Sequence, residues 1–485
     1  MSTDRRARGT AARAAMLGLG ILAAATVLSS GQGLRAQTPP QEAATAGGLL
    51  RLLGITPSAE SVDYVMNKTQ FQLHTLLTEQ RHPKTWDLGD RVARDAAAGL
   101  RMLFAVDEDV KARLDALAAS PEALEQAAAA IEEAIRGGRK VYVYGCGATG
   151  RLAKQMESSF WRPFWRSVRS DATLVKKLGP AVPADIEDRL IGEMTGADRA
   201  LISSLEGFED LQLIGRLQLR DRGIAKGDVV ICVTEGGETS SVIGTILGAH
   251  DAWKSESGTS PAESRKALYF VYNNPDDLLR PFLRSRSVLD EPGITRINLT
   301  TGPQAITGST RMQATTSETY VIGAVLEAAA SRLLRRELSG KEMARLGFDG
   351  KMTIAGRLRE FGGLVESLKA AVPDLARLTE LESAAYSGSR FSTYFAESGL
   401  ITVFIDGTER SPTFRLYPLD TVKEPARKCW FQVATAASTA AEAWQAFLGR
   451  PFRGLDPALY RKPFETEVED PYLRRAALAS LARAG

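Results

Sequence analysis

Apolar and polar positions alternate from Lys140 to Gly145 (KVYVYG). They then give way to small residues in Gly145-Cys146-Gly147-Ala148-Thr149-Gly150. A period of two predicts a strand, and the glycine-rich turn after it predicts the entry to a helix. Just upstream, SPEALEQAAAAIEEAIRGG carries Ser120 at the N-cap, Pro121 at the first helical position and Gly137-Gly138 past the last turn, which predicts a bounded helix. The order apolar strand, small polar loop, helix recurs in DVVICVTEGGETSSVIGTILGAH, in ALYFVYNNPDDLLRPFL and in ITRINLTTGPQAITGSTRMQATTSETYVIGAVLEAAASRLL. Strands separated by helices at this spacing predict an α/β fold on a parallel sheet. In such sheets ligands sit at the carboxyl ends of the strands, where all these polar loops fall.

Beyond Leu338 the pattern changes. FDGKMTIAGRLREFGGLVESLKAAVPDLARLTELESAAYSG reads as helical, and LITVFIDGTERSPTFRLYPLDT as a strand and polar turn. CWFQVATAASTAAEAWQAFLG reads as a buried helix, and the last twenty residues as a charged helical tail. At the other end, a basic stretch (MSTDRRARGTAAR) precedes an apolar run (AAMLGLGILAAATVL) and a small residue at Ala36, the order of a secretory signal. The run is shorter than the roughly 20 residues of a membrane span. The expectation is export to a periplasm, with an uncleaved anchor or, given a misassigned start, a cytoplasmic protein as alternatives. The expected organisation is a signal over 1–36, a linker over 37–60, a helical segment over 61–119, an α/β domain over 120–338 and a degenerate second domain over 339–485.

Composition narrows the chemistry. With 485 residues, 44% hydrophobic, the chain is long enough for two or three full cores. Lys+Arg 61 against Asp+Glu 58 gives no basic surface for nucleic acid. Cys146, Cys232 and Cys429 lie far apart, and His74, His82 and His250 are not at ligand spacing, so neither predicts a metal site. Carboxylates, hydroxyls and backbone amides are left to carry any reaction.

Gly145–Gly150 matches the dinucleotide fingerprint G-x-G-x-x-G. That site needs an acid about 20 positions on, at a strand end. Asp171 has the distance, but FWRPFWRSVRSDATL does not read as a strand. The other loops are rich in hydroxyls: Thr239, Ser240 and Ser241 in TEGGETSS, and Thr307, Ser309 and Thr310 in ITGSTRM. Hydroxyls and backbone N–H groups at helix N-termini suit a single phosphate.

GCGATGRL, SLEGFED, TEGGETSSVIG and GPQAITGSTRMQATT together resemble the sugar isomerase (SIS) domain, in the branch with N-acetylmuramic acid 6-phosphate etherase and the glucokinase regulatory protein. LLTEQRHP (Leu76–Pro83) resembles an N-terminal motif of the etherase. The resemblance covers about residues 75–335 and implies a flavodoxin-like domain that binds a phosphorylated amino sugar, with no cofactor and no metal. It further implies a lyase that removes the lactyl ether from C3 of a 2-acetamido sugar phosphate, using two acid/base groups. Glu206 falls where the family keeps the C2 base, while Glu209 and Asp210 read as surface acids. Gly147, Thr149, Gly150, Arg151, Thr239, Ser240, Ser241, Ser309, Thr310 and Arg311 fall in the segments that would hold the phosphate and hydroxyls.

The second carboxylate is where this sequence departs from the pattern. GRLAKQMESSF has Phe160 at the family's acid position, with Glu157 one helical turn earlier and about 4–5 Å away along the axis. A second candidate is Glu409, because FIDGTERSPTF resembles the family's acid-bearing segment. It would come from a second half forming a pseudo-dimer with the first within one chain, with a homodimer as the alternative. The regulatory protein lacks this acid and binds without turnover. A binding regulator, or an aldose–ketose isomerase with one base, therefore stands beside the lyase.

Overall fold

The computed structural model describes residues 53–67, 72–203, 205–306, 312–348, 352–395, 401, 414–417 and 431–484. The expected signal and most of the linker lie outside the described residues, as do Thr307, Ser309, Thr310, Arg311 and Glu409. Residues 1–68 form a unit of their own, in which the described helix is Ala59–Asn67. Everything below belongs to the second unit, 69–485.

The recurrent strand–loop–helix pattern folds as the alternation predicts. Strands β1 (Val141–Gly145), β2 (Leu190–Met194), β3 (Val229–Thr234), β4 (Leu268–Tyr272) and β5 (Thr295–Asn298) pair in parallel in the order β2-β1-β3-β4-β5. This is the flavodoxin-like order of a doubly wound sheet. Both faces are covered, so β1 to β4 are buried along their whole length. Alternation sorts their side chains: Val141 and Val143 enter one core, Tyr142 and Tyr144 the other.

The first core is closed by helices α1 (Ala96–Ala119) and α2 (Glu122–Arg136), with α3 (Gly147–Gln155) leaving β1 at its edge. Helices α4 (Gln212–Asp221) and α5 (Ser240–Ser257) cover the opposite face. Helices α6 (Gln313–Arg335) and α7 (Ile354–Ala370) complete the first core, and α8 (Val372–Ser387) follows. In α2 the buried apolar positions are Leu124, Ala127, Ala128, Ile131, Ala134 and Ile135, the stripe of a 3.6-residue period. Burying each large aliphatic side chain of this kind contributes about 1.5–3 kcal/mol. The helix begins one residue later than the spacing predicts, with Pro121 at its cap and Ser120 closing α1.

The C-terminal part differs from expectation in two elements. CWFQVATAASTAAEAWQAFLG is a strand, β8 (Phe431–Ala434), followed by a helix, α9 (Ala440–Leu448). Aromatic and β-branched residues open the segment and favour a strand. Thr439 then starts the helix by accepting the Glu442 N–H at 3.2 Å, and Glu442 returns the bond. Strand β8 pairs in parallel between β6 (Ser392–Phe395) and β7 (Phe414–Tyr417). After α10 (Pro457–Glu467), the expected charged tail is α11 (Pro471–Ala484), which buries Ala477, Leu481 and Ala484 in a core shared with Phe208, Tyr460 and Phe464. Among the described residues no helix is long and apolar enough to cross a membrane.

Candidate active site

Strand β1 lies between β2 and β3, so successive connections leave the middle of the sheet in opposite directions and open a crevice at the strand ends. A cavity of about 270 Å³ sits there. Gly147 and Arg151 line it after β1, Glu206 after β2, and Thr239 and Ser240 after β3. The glycine-rich run is built for close packing as much as for a ligand. A Cβ at Gly150 would stand 2.3 Å from the Met194 Cβ, so only glycine lets α3 lie against β2.

Not every predicted hydroxyl reaches the cavity. Thr149 Oγ1 accepts the Cys146 N–H at 3.0 Å and donates to the Cys146 carbonyl at 2.9 Å, which caps α3 with a side chain sealed inside. Ser241 is fully buried, with its Oγ 2.9 Å from Thr195 Oγ1. Thr149, Gly150 and Ser241 thus stand behind the wall. Thr239 pairs with Thr234 at 3.0 Å, and Ser240 Oγ accepts from Arg284 Nη1 at 2.6 Å.

Glu206 opens a short 3-10 turn, Glu206–Phe208, at the cavity edge. The turn is held from below: Phe208 is buried, with its ring 5.6 Å from that of Phe464, and Gly207 N–H donates to Ser480 Oγ at 3.2 Å. A Cβ at Gly207 would meet the Ala476 carbonyl oxygen at 2.2 Å, so α11 rests directly on this backbone. Glu209 and Asp210, expected on the surface, also line the cavity. The Glu209 carbonyl accepts the Ser241 N–H at 3.1 Å, which ties the loop to the N-terminus of α5.

Glu157 is elsewhere. It sits on a π-helical turn, Met156–Trp161, at 1% exposure, and does not line the cavity. Arg450 Nε, Arg162 Nε and Arg453 Nη2 lie 2.8, 2.9 and 2.7 Å from its Oε1, and Gly192 N–H donates to its Oε2 at 3.1 Å. Burial alone would raise its pKa. The opposing charges of Arg450, Arg453, Arg162 and Lys154 outweigh that and hold it at about 2. A carboxylate so held has no proton to give. Phe160, on the same turn, packs on the first core with its ring 5.8 Å from that of Phe164.

The cavity wall is rich in acids that the sequence did not single out. Glu79, Glu235 and Glu238 join Glu206, Glu209 and Asp210, with Arg151 and Arg284 as cations. Glu79 comes from the TEQRHP stretch, whose other members anchor it: Thr78 Oγ1 accepts from Asn274, and His82 Nε2 is 2.6 Å from Asp109. Glu235 and Glu238 lie in the very loop whose hydroxyls drew notice. Arg284 has no local signal. It follows β4 in a segment without pattern, and Glu238 Oε2 fixes it through Nε and Nη2 at 3.1 and 2.9 Å. Cys146 also lines the cavity, but burial pushes its thiol far up, with the Glu209 charge adding, so it is not a thiolate nucleophile. Among the described residues no group of three or more His, Cys, Asp or Glu is arranged to hold a metal ion.

No family model matches the chain. Individual relatives do. The chain is 30% identical over 258 residues to the N-acetylmuramic acid 6-phosphate etherase of Synechococcus sp. (strain CC9605), covering 53% of this chain and 67% of that protein. It is 28% identical over 306 residues to the etherase of the same name from Deinococcus radiodurans, covering 62% and 81%. A third, from Prochlorococcus marinus (strain MIT 9303), is 29% identical over 258 residues, covering 53% and 67%. With a flavodoxin-like sheet, a cavity at its switch point and relatives of this kind, the chain belongs to the family of the N-acetylmuramic acid 6-phosphate etherases.

Proposed function

We propose that the protein is a carbon–oxygen lyase that converts N-acetylmuramic acid 6-phosphate to N-acetylglucosamine 6-phosphate and D-lactate. The observation that carries this reading is the placing of Glu206 on the same cavity as the hydroxyl-bearing N-terminus of α5, in a chain similar to etherases. A phosphate at that N-terminus would meet backbone N–H groups and the positive end of the helix, with Ser240 and Thr239 as donors. Arg151 and Arg284 supply positive charge for the phosphate or the lactyl carboxylate.

With the sugar ring open, the C1 aldehyde acidifies the C2 hydrogen. Glu206 takes that proton, the electron pair becomes a C2=C3 double bond, and the ether oxygen leaves C3. A proton on that oxygen completes D-lactate. Water then adds at C3 and C2 is reprotonated. A positioned general base contributes about 10²–10⁴-fold to such a step.

A second reading, a sugar-phosphate-binding regulator without turnover, draws support from Phe160, which brings no proton donor to that turn. One experiment separates the two. The full chain is mixed with N-acetylmuramic acid 6-phosphate, D-lactate is followed, and Glu206→Gln is run beside it. Lactate from the wild type, falling by at least about 10²-fold in the variant, is the expected outcome. No lactate, with a rise in melting temperature on adding the sugar phosphate, would sink the lyase and favour the regulator.

A further inference from the structure

A lyase of this kind needs a second acid/base group, and neither Phe160 nor Glu157 can be it. One carboxyl, Glu235, lines the opposite wall of the cavity, and a second, Glu318, lies behind that wall and shares its partners. Glu318, on α6, is fully enclosed. Its Oε1 accepts from Asn273 Nδ2 at 2.8 Å, and its Oε2 has no hydrogen-bond partner among the described residues. Asn273 is oriented by Ser317 Oγ, which donates to its Oδ1 at 3.0 Å, and its own N–H binds the Glu235 carbonyl at 3.1 Å. Glu235, the first residue after β3, lines the cavity, and its Oε1 accepts from Thr315 Oγ1 at 2.8 Å. Thr315 is one turn before Glu318 on the same helix face. One carboxyl therefore meets the cavity and the other is sealed behind it, and both are fixed by the same helix and by Asn273.

No lysine or arginine among the described residues is paired with Glu318. An ionised carboxylate so enclosed would cost several kcal/mol. Burial accordingly pushes the Glu318 carboxyl well above its usual range, and the neighbouring Glu235 charge pushes it further. The surroundings of Glu318 thus favour its protonated form.

We infer that Glu235 is the second acid/base group of the proposed etherase site, and that Glu318 is the positioning residue behind it, acting through Asn273 and the shared face of α6. This rests on the lyase reading and supplies what that reading lacked. As Glu206 removes the C2 proton and the C2=C3 bond forms, the C3–O bond breaks toward the lactyl oxygen. That oxygen takes a proton from the Glu235 carboxyl, which is left as a carboxylate. In the return half, water adds hydroxide to C3 and gives its other proton back to the Glu235 carboxylate, while Glu206 reprotonates C2. Water is the only co-reactant. The acid reaches the substrate from the β3 side, so an etherase can work with Phe160 on the β1 side.

The test uses the full chain with N-acetylmuramic acid 6-phosphate in D₂O and reads two quantities, D-lactate release and exchange of the C2 hydrogen for deuterium. Exchange needs the base alone; release needs the acid as well. Glu235→Gln is expected to lose about 10²–10⁴-fold in release while exchange persists. Glu318→Gln, which is outside the cavity, is expected to lower kcat for release about tenfold or more with KM nearly unchanged. Release by Glu235→Gln at the wild-type rate overturns the inference. So does equal loss of exchange and release, which would mark a merely structural role. If Glu235→Gln fails to fold on a circular dichroism melt, Glu318→Gln decides, and an unchanged kcat overturns the inference. A wild type that neither exchanges nor releases defeats the lyase reading itself and this inference with it. A wild type that does both, beside variants that also do both, defeats the acid assignment alone.

Discussion

A hydroxyl in a glycine-rich loop has two uses, and the letters of the sequence are the same for both. Thr149 was expected to touch phosphate, yet both of its hydrogen bonds go to the backbone of Cys146. Thr149→Val should therefore lower stability by about 1 kcal/mol, the worth of an N-cap bond, and leave KM for the sugar phosphate nearly unchanged. Paired melting and Michaelis–Menten measurements check this, and a large rise in KM would return Thr149 to the binding set. That Glu206 lines the cavity was legible from the resemblance of SLEGFED to a stretch of the family. Glu318 was not, because one acid among Thr, Ser and Ala gives no hint whether it faces solvent or another carboxylate. Its meaning depends on Asn273, which a different strand delivers.

At the scale of elements, the sheet was the most legible part. Alternation in KVYVYG and the apolar runs VVICVT and LYFVY made strands, and the strand–loop–helix rhythm made them parallel. Helix α11 forms where a charged helical tail was expected, but the burial of Ala477, Leu481 and Ala484 in the second core was not legible beside its conspicuous charges. That helix matters to the cavity, since the turn carrying Glu206 rests on it. A methyl group at Gly207 would collide with the Ala476 carbonyl. Gly207→Ala should cost about 1–3 kcal/mol by overpacking and lower kcat by shifting Glu206, with the binding loops after β1 and β3 untouched. Thermal unfolding and lactate kinetics on the variant test both halves, and a variant with wild-type kcat would show that the turn does not depend on its support.

At the scale of the molecule, charge binds distant parts together. Arg450 and Arg453 come from beyond α9 and reach Glu157 and Asp198, more than 250 residues earlier in the chain. Lys154 bridges Glu193 at 2.6 Å and Asp198 at 2.7 Å, and Arg222 closes on Glu193 at 2.5 Å. No sequence pattern announces such a cluster, because each charge finds its partner only after folding. Removing one member leaves the others buried and uncompensated, so Glu157→Gln should cost about 3–5 kcal/mol. The acid side of the stability curve follows. Glu157 is held at about 2, and Asp198 is also lowered, so both are depressed relative to the unfolded chain. Their contribution is complete above the unfolded carboxylate range near pH 4–5 and is lost as pH falls toward 2. Denaturant unfolding from pH 7 to pH 3 should show that decline, with a shallower slope in Glu157→Gln; parallel slopes would assign it to other carboxylates. The support of the Glu206 turn carries a last consequence, in time rather than in energy. Gly207 and Ser480 are 273 residues apart in the chain. At synthesis rates of about 5–20 residues per second, the turn leaves the ribosome on the order of 15–60 s before the helix that seats it. Strands β3, β4 and β5 emerge within that interval, so the residues of the whole sheet and of the glycine-rich loop are available before the helix on which the Glu206 turn rests.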